Sequence, residues 1–144
     1  MKQRVRAILI TPRNTALFMK RIRPGLDPYW VVIGGGVEET DPTPEDALLR
    51  EIREEIAGEA TIGRLFHELK NPSGETELFY LAHVSHWSFA DRTGPEFLRT
   101  DRGTYELVEV PLTPDAIATI NLLPTEISEE LCAALRRGYL STAA

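Results

Sequence analysis

Cysteine is almost absent from this sequence, which has one cysteine, Cys132, in 144 residues. A single cysteine has no intramolecular disulfide partner, which excludes a small scaffold held together by disulfides. The three histidines, His67, His83 and His86, lack the thiolate partners that would complete a tetrahedral zinc site. These absences predict a protein of the reducing cytoplasm without a structural zinc ion.

An excess of positive charge is also missing. The chain has 16 Lys and Arg residues against 22 Asp and Glu residues, which gives a formal net charge of −6 at pH 7. Proteins that bind nucleic-acid polymers need clustered cationic side chains to neutralise the phosphate backbone. The charge therefore argues against a nucleic-acid polymer as partner, and a site for a smaller phosphate compound would need positive charge from another source.

Long apolar segments are the third absence. The apolar run near the N-terminus, residues 7–10, is too short for a signal-peptide core or a membrane span, so no membrane partner is expected. Hydrophobic residues make up 42% of the chain, and no repeat, linker or break in composition divides it. The sequence therefore predicts one compact domain over residues 1–144.

Short apolar runs separated by turn residues predict strands in much of the chain. Two hairpins are predicted, from residues 5–10 with 16–19 and from residues 60–69 with 75–87. Single strands are predicted at residues 29–33, which run into three glycines, and at residues 104–110. Helices are predicted at residues 44–56, 113–120 and 125–140, each of them preceded or begun by a capping threonine: Thr43, Thr113 and Thr125.

The helix at residues 44–56 has two distinct faces. On a helical wheel one stripe is apolar and contains Leu48, Leu49, Ile52 and Ile56. Another sector is acidic apart from one small residue and contains Glu51, Glu54, Glu55 and Ala47. Like charges at this spacing repel each other, and a divalent cation with oxygen ligands, such as Mg²⁺ or Mn²⁺, would reverse that cost. A solvated acidic face, paired with Arg50 and Arg53, is the alternative that the wheel leaves open.

The glycine loop before this helix does not fit a dinucleotide-binding turn. That turn opens directly into its helix, whereas eight residues here separate Gly36 from Glu45. Residues 35–58 instead resemble the signature box of the Nudix hydrolases: Gly, five residues, Glu, seven residues, then Arg-Glu-apolar-x-Glu-Glu-x-Gly-apolar. The segment Arg50-Glu51-Ile52-Arg53-Glu54-Glu55 matches the core of that pattern completely. Residues 19–24 and 107–124 resemble other parts of the family more weakly.

The flanks of the box depart from the family pattern. Asp41 stands at the position of the first glutamate, and Pro42 is an insertion before the helix. Ile33 stands where a proline often precedes the glycines. Ala57 replaces the glycine at the end of the box, and Gly58 replaces the apolar residue. These departures affect the loop and the helix end, away from the carboxylates.

The resemblance implies an α/β (α+β) Nudix fold, in which a mixed β-sheet lies between helices. It also implies hydrolysis of a diphosphate linkage in a nucleoside diphosphate derivative, with Mg²⁺ or Mn²⁺ as cofactor. Glu51, Glu54 and Glu55, together with the main-chain carbonyl of Gly35, are the implied metal ligands. Arg50 would orient these carboxylates through an ion pair with Glu51 or Glu54. Glu54 is the first candidate for the group that accepts the proton of the attacking water.

Further candidates lie outside the box. Glu106 is the first candidate for an additional catalytic carboxylate. Glu96, in the preceding loop, is the second candidate and is also expected to lie close to the substrate. The alternative for both residues is an ordinary exposed carboxylate without a catalytic role. Arg21 is the candidate contact for substrate phosphates; the alternative is that it only lies at a solvated strand end. Trp30 is the candidate for stacking on a base; the alternative is that its side chain packs in the core.

A second functional hypothesis is a Nudix-fold binding or regulatory module that recognises a nucleotide without cleaving it. The loop departures favour it, and the intact set of three glutamates counts against it. The base, the leaving group, the number of metal ions and the oligomeric state, a homodimer included, stay open.

Overall fold

The computed structural model describes residues 2–91, 104–138 and 140. Within these residues the chain forms eight strands and three α-helices, besides one turn of 3₁₀-helix at Phe89–Asp91. In chain order they are β1 (Gln3–Ile10), β2 (Thr15–Ile22), β3 (Tyr29–Val31), β4 (Ile33–Gly36), α1 (Pro44–Ile56), β5 (Glu59–Lys70), β6 (Thr76–His86), β7 (Thr104–Pro111), α2 (Pro114–Thr119), β8 (Leu122–Leu123) and α3 (Thr125–Arg136). None of these three helices has both the length and the apolar character needed to cross a membrane.

The strands β1 and β2 start as a hairpin and then diverge. They pair antiparallel near the turn, where Leu9 faces Leu17 and Ile10 faces Ala16. Farther along, β4 pairs with β1 and β3 pairs with β2, so that residues 29–36 fill the gap between the two strands. The prediction of one strand at residues 29–33 is wrong in this respect. The strand is interrupted at Val32, because its two halves pair with different partners.

The other strands extend the sheet at both edges. β6 runs parallel to β1 along its whole length, and β5 pairs antiparallel with β6, which confirms the second predicted hairpin. On the far side β7 pairs antiparallel with β2, and β8 pairs parallel with β3. The sheet is therefore mixed, as the resemblance implies.

Side chains that alternate along β1 separate two apolar cores. Val5, Ala7 and Leu9 pack in the core under α1, whereas Ile8 and Ile10 pack in the core under α2 and α3. The sheet thus lies between helices on both of its faces, and the predicted mixed sheet between helices is confirmed.

The bounds of α1 agree with the capping signals in the sequence. The hydroxyl of Thr43 accepts a hydrogen bond from the N–H of Asp46 at 3.1 Å, and Pro44 begins the helix. The helix ends at Ala57, whose backbone is left-handed, with φ 48° and ψ 42°. The N–H of Ala57 donates to the carbonyl of Arg53 at 2.9 Å.

Ala47, in the acidic sector of α1, is fully buried in the apolar core, whereas Leu49 of the apolar stripe is only half-buried. The prediction for α3 is wrong at both ends, and the helix stops at Arg136 instead of residue 140. Thr125 is the first residue of α3 instead of its cap. Pro124 precedes the helix, and no side chain caps it.

Candidate active site

Arg50 connects the loop before α1 to the carboxylates of the helix. Its Nε and Nη2 donate to the two carboxylate oxygens of Asp41 at 3.0 and 2.8 Å. Its Nη1 donates to Glu51 at 3.0 Å and to Glu54 at 3.1 Å. Its Nη2 also donates to the carbonyl of Gly36 at 3.1 Å. The structure thus contains both ion pairs that the sequence left as alternatives.

Asp41 is a site residue that sequence reasoning missed. Its side chain is only 7% exposed, and it also accepts a hydrogen bond from the N–H of Glu38 at 2.8 Å. The hydrogen bonds from Arg50, followed by the one from the Glu38 N–H, lower the pKa of Asp41. The same contact with Asp41 is the main cause that raises the pKa of Arg50. The signal for Asp41 was its place in the box, at the position of the first glutamate.

The glycines of β4 let the helix carboxylates approach the strand closely. A Cβ atom on Gly35 would lie 2.5 Å from the carboxyl carbon of Glu51 and 2.6 Å from each of its oxygens. The N–H of Gly34 donates to Glu55 at 3.0 Å. A Cβ atom on Gly34 would lie 1.9 Å from the carbonyl oxygen of Val5 on β1. Larger residues at these two positions would displace the carboxylates or the strand.

The residues of this region fit a divalent cation by donor type. Glu51, Glu54, Glu55 and the carbonyl of Gly35 offer only oxygen, the ligand that Mg²⁺ and Mn²⁺ prefer. The missing Cβ of Gly35 leaves the space that the carboxylate of Glu51 occupies. In the part of the chain that the structure describes, no three His, Cys, Asp or Glu side chains converge on one ion position. Arg50 holds the carboxylates of Glu51 and Glu54 in place.

A cleft of about 620 Å³ opens at the break between β3 and β4, where residues 31–34 line it. Gly34 and Glu55 line it at the α1 side, together with Arg21 and Tyr105. The guanidinium carbon of Arg21 lies 4.4 Å from the ring centre of Tyr105 and 6.0 Å from that of Tyr29. No carboxylate of the described residues pairs with Arg21, and its buried Nε has no acceptor among them. Arg21 therefore brings an uncompensated positive charge to the cleft that also reaches Glu55.

Trp30 and Glu106 lie elsewhere. Trp30 packs against the core of α2 and α3, with Nζ of Lys20 5.3 Å from its ring centre. Glu106 faces Lys20 in the register of β2 and β7, and it shares its face with Val108, which packs on the same core. Since α1 covers the opposite face, the structure does not bring Trp30 or Glu106 to the α1 carboxylates. Glu96 lies outside the described residues.

A second polar cluster lines the cleft and was not foreseen. Nε of Arg6 donates to Glu77 at 3.0 Å, and Nδ2 of Asn71 donates to the other oxygen of Glu77 at 2.9 Å. Burial raises the pKa of Glu77, but the bond from Asn71 and the charge of Arg6 outweigh it and keep this pKa below its ordinary value. No local pattern marks this pair, because Arg6 and Glu77 are 71 residues apart.

Comparisons with known proteins agree with this architecture. A family model described as NUDIX domain matches residues 1–125. Among solved structures, the E. coli ORF135 protein is 25% identical over 100% of this chain and 94% of its own, with a TM-score of 0.63. A MutT NUDIX hydrolase from Burkholderia pseudomallei is 24% identical over 90% and 96% of the two chains, with a TM-score of 0.57. An ADP-ribose pyrophosphatase from Streptococcus suis is 18% identical over 95% and 91%, with a TM-score of 0.63. No curated protein matches the chain.

Proposed function

Because the chain belongs to the Nudix hydrolase family, we propose that it hydrolyses a diphosphate linkage in a nucleoside diphosphate derivative by attack of water on phosphorus. The observation that supports this most is the cleft shared by Glu55 of the acidic helix and by Arg21, which pairs with no carboxylate of the described residues. The similarity to an ADP-ribose pyrophosphatase supports the same class of substrate. A cytoplasmic location is part of the proposal and follows from the one cysteine, Cys132, which is free and buried.

The proposed metal ligands are Glu51, Glu54, Glu55 and the carbonyl oxygen of Gly35, and the proposed cofactor is Mg²⁺ or Mn²⁺. A divalent ion at such a site neutralises phosphate charge and makes bound water more acidic. The chain contributes the geometry, because Arg50 fixes Glu51 and Glu54 relative to the glycine loop. This preorganisation lowers the cost of bringing the carboxylates together for each turnover.

Glu54 is the proposed general base. Its side chain is 35% exposed, so water reaches it. Arg50 holds its Oε2, and Oε1 makes no hydrogen bond within the described residues. One carboxylate oxygen is thus fixed while the other is left to accept the proton of the attacking water.

Arg21 is the proposed contact for the substrate phosphates. Its guanidinium rests on the ring of Tyr105, which orients it without neutralising its charge. Arginine pairs with phosphate oxygens through two parallel N–H donors, so an arginine without a carboxylate partner in residues 2–91 and 104–138 suits this role. Its place in the cleft with Glu55 matches a diphosphate that extends from Arg21 towards α1.

The test is a panel of nucleoside triphosphates, ADP-ribose, nucleotide sugars and dinucleoside polyphosphates, assayed for phosphate or monophosphate release with Mg²⁺ and with Mn²⁺. We expect turnover of at least one compound that depends on the ion, and a loss of about a hundredfold or more in kcat for Glu54→Gln. Glu45→Gln, on the exposed first turn of the same helix, is the control and should keep normal activity.

Two outcomes would contradict the proposal. Normal activity of a folded Glu54→Gln protein would exclude Glu54 as the base. Tight nucleotide binding by the wild-type protein with no turnover across the whole panel would instead support the binding or regulatory module.

A further inference from the structure

The Arg6 end of the cleft lies on the other side of the sheet from α1. Arg6 stands between Val5 and Ala7, whose side chains belong to the core under α1, so the side chain of Arg6 lies on the opposite face. Arg6 and Glu55 nevertheless line the same cleft, which passes the break between β3 and β4. The other end of a ligand whose phosphates lie at α1 would face Arg6.

Arg6 is held rigidly at this position. Its Nε donates to Glu77, whose side chain is only 11% exposed. Asn71 fixes the second oxygen of Glu77, and the amide oxygen of Asn71 accepts from the N–H groups of Ser73 and Glu75, both at 3.0 Å. The orientation of Arg6 thus depends on a chain of bonds in which each member is itself held.

Arg6 keeps donors for a ligand. Nη1 donates to the carbonyl of Val32 at 3.3 Å, while Nη2 has no acceptor within the described residues. The charges at this end of the cleft nearly balance, with three cations and two carboxylates: Arg4, Arg6, Lys70, Glu77 and Glu126. This end therefore suits a neutral group with hydrogen-bond acceptors, in contrast to the uncompensated charge of Arg21.

Apolar side chains complete this end of the cleft. They are Leu69, Pro72, Leu123 and Pro124. Leu123 is 36% exposed, which leaves apolar surface uncovered beside Arg6. Apolar surface beside fixed hydrogen-bonding groups is typical of sites for small molecules. A nucleobase has this character, with apolar faces and hydrogen-bonding edges.

We propose that Arg6, positioned by Glu77 and Asn71, selects the base of the substrate and favours guanine or cytosine over adenine. Guanine presents the adjacent acceptors O6 and N7, and cytosine presents O2 and N3, which match the planar donors of a guanidinium. Adenine has no pair of adjacent acceptors, because its amino donor lies beside both N1 and N7, so one of the two contacts is lost. This inference rests on the proposed function, because it takes the phosphates to lie at Glu55 and Arg21.

The test compares the affinities of GMP, CMP and AMP, measured by calorimetry or NMR titration without a divalent ion. For the wild-type protein we expect GMP or CMP to bind about tenfold or more tightly than AMP, the effect of one good two-point contact. In Arg6→Met and in Arg6→Lys the ratio should fall to within about threefold, since neither residue has a planar pair of donors. Arg4→Met is the matched control, because Arg4 lies on the same strand and lines the same cleft but donates no hydrogen bond to Glu77. It should keep the wild-type ratio.

Several results would overturn the assignment. They are equal binding of the three monophosphates by the wild-type protein, no detectable binding of any of them, and an unchanged ratio in a folded Arg6→Met or Arg6→Lys variant. If Arg6→Met fails to fold, Arg6→Lys decides, because it keeps a positive charge beside Glu77.

The result is independent of the proposed hydrolysis, because monophosphates contain no diphosphate linkage. Hydrolysis of the substrate panel without base preference would overturn the role of Arg6 and leave the proposed function intact. A base preference without hydrolysis of any compound would support the role of Arg6 and overturn the proposed hydrolysis.

Discussion

Asp41 and Arg50 form a two-point ion pair, in which Nε lies 3.0 Å from one carboxylate oxygen and Nη2 lies 2.8 Å from the other. The pair joins the loop before α1 to the helix that carries the glutamates. Asp41 replaces a glutamate of the family pattern, and Pro42 lengthens the loop, yet the contact with Arg50 forms. The loop departures therefore leave intact the link that fixes Glu51 and Glu54.

Arg50→Lys should weaken both stability and activity. A lysine ammonium is a single point charge and cannot contact Asp41, Glu51 and Glu54 in the geometry of the guanidinium. We expect the free energy of unfolding to fall by about 2 kcal/mol and kcat to fall about tenfold or more. Urea unfolding and steady-state kinetics measure the two effects. Arg53→Lys, exposed on the same helix, should change neither. Equal behaviour of the two variants would contradict the role of Arg50.

Gly35→Ala should reduce activity through the position of Glu51. The new methyl group would lie 2.5 Å from the carboxyl carbon of Glu51, too close for any side-chain contact, so the carboxylate must move. We expect kcat to fall about tenfold or more, since displacements of this size cost that much in other active sites. Gly36→Ala is the control, because its methyl group would meet only the ends of Arg4 and Lys2, at 3.9 Å. If the Gly35→Ala protein is as active as the Gly36→Ala protein, the observed position of the Glu51 carboxylate is not required for activity.

Local sequence signals account for much of this fold. The bounds of α1 follow from Thr43 and Pro44, because a threonine cap and a proline at the first turn act within a few residues. The spacing of Glu51, Glu54 and Glu55 predicts one acidic sector of the helix, and the resemblance to the signature box assigns that sector to a metal site. In these cases the energetic preference and the observed contact lie in the same short segment.

Contacts between distant segments were the ones that the sequence did not reveal. The break at Val32 arises because β3 and β4 pair with different strands, and no local signal marks it. Arg6 and Glu77 meet only through the parallel pairing of β1 and β6. Ala47 is buried because α1 packs on the sheet, and a helical wheel does not show how far the contact surface reaches.

Arg21→Met should raise KM more than it lowers kcat. Methionine keeps apolar contact with Tyr105 but removes the positive charge that we assign to substrate phosphates. A lost arginine contact to a charged group corresponds to an increase in KM of about tenfold or more. Lys20→Met is the control, because Lys20 lies on the same strand and its ammonium contacts Trp30 on the opposite face. If both variants raise KM equally, the effect is one of general charge and Arg21 has no specific contact.

Glu109 should stabilise the folded protein at neutral pH and lose this effect in strong acid. Hydrogen bonds from Arg13 and then from Thr15 lower the pKa of Glu109 to about 2, from an ordinary value of 4.5. Because the folded pKa is the lower one, the contribution is complete above pH 4.5 and is lost as the pH falls to about 2. Arg13 is well exposed, so solvent screening limits the contribution to about 1 kcal/mol. Glu109→Gln should lower stability by this amount at pH 7 and by almost nothing at pH 2, as measured by urea unfolding. The exposed Glu129→Gln should show no such difference.

Ala57→Gly should stabilise the protein, although most changes from alanine to glycine destabilise. Ala57 ends α1 with a left-handed backbone, φ 48°, which costs a residue with a Cβ atom about 1 kcal/mol. The greater freedom of glycine in the unfolded chain offsets part of this, so we expect a net gain of about 0.5 kcal/mol in the free energy of unfolding. The same change at Ala47, inside the helix and fully buried, should lower stability by about 1 kcal/mol or more. If urea unfolding shows a gain in stability at Ala57 and a loss at Ala47, the left-handed backbone explains why the family pattern has glycine at this position. A loss of stability at both positions would contradict that explanation.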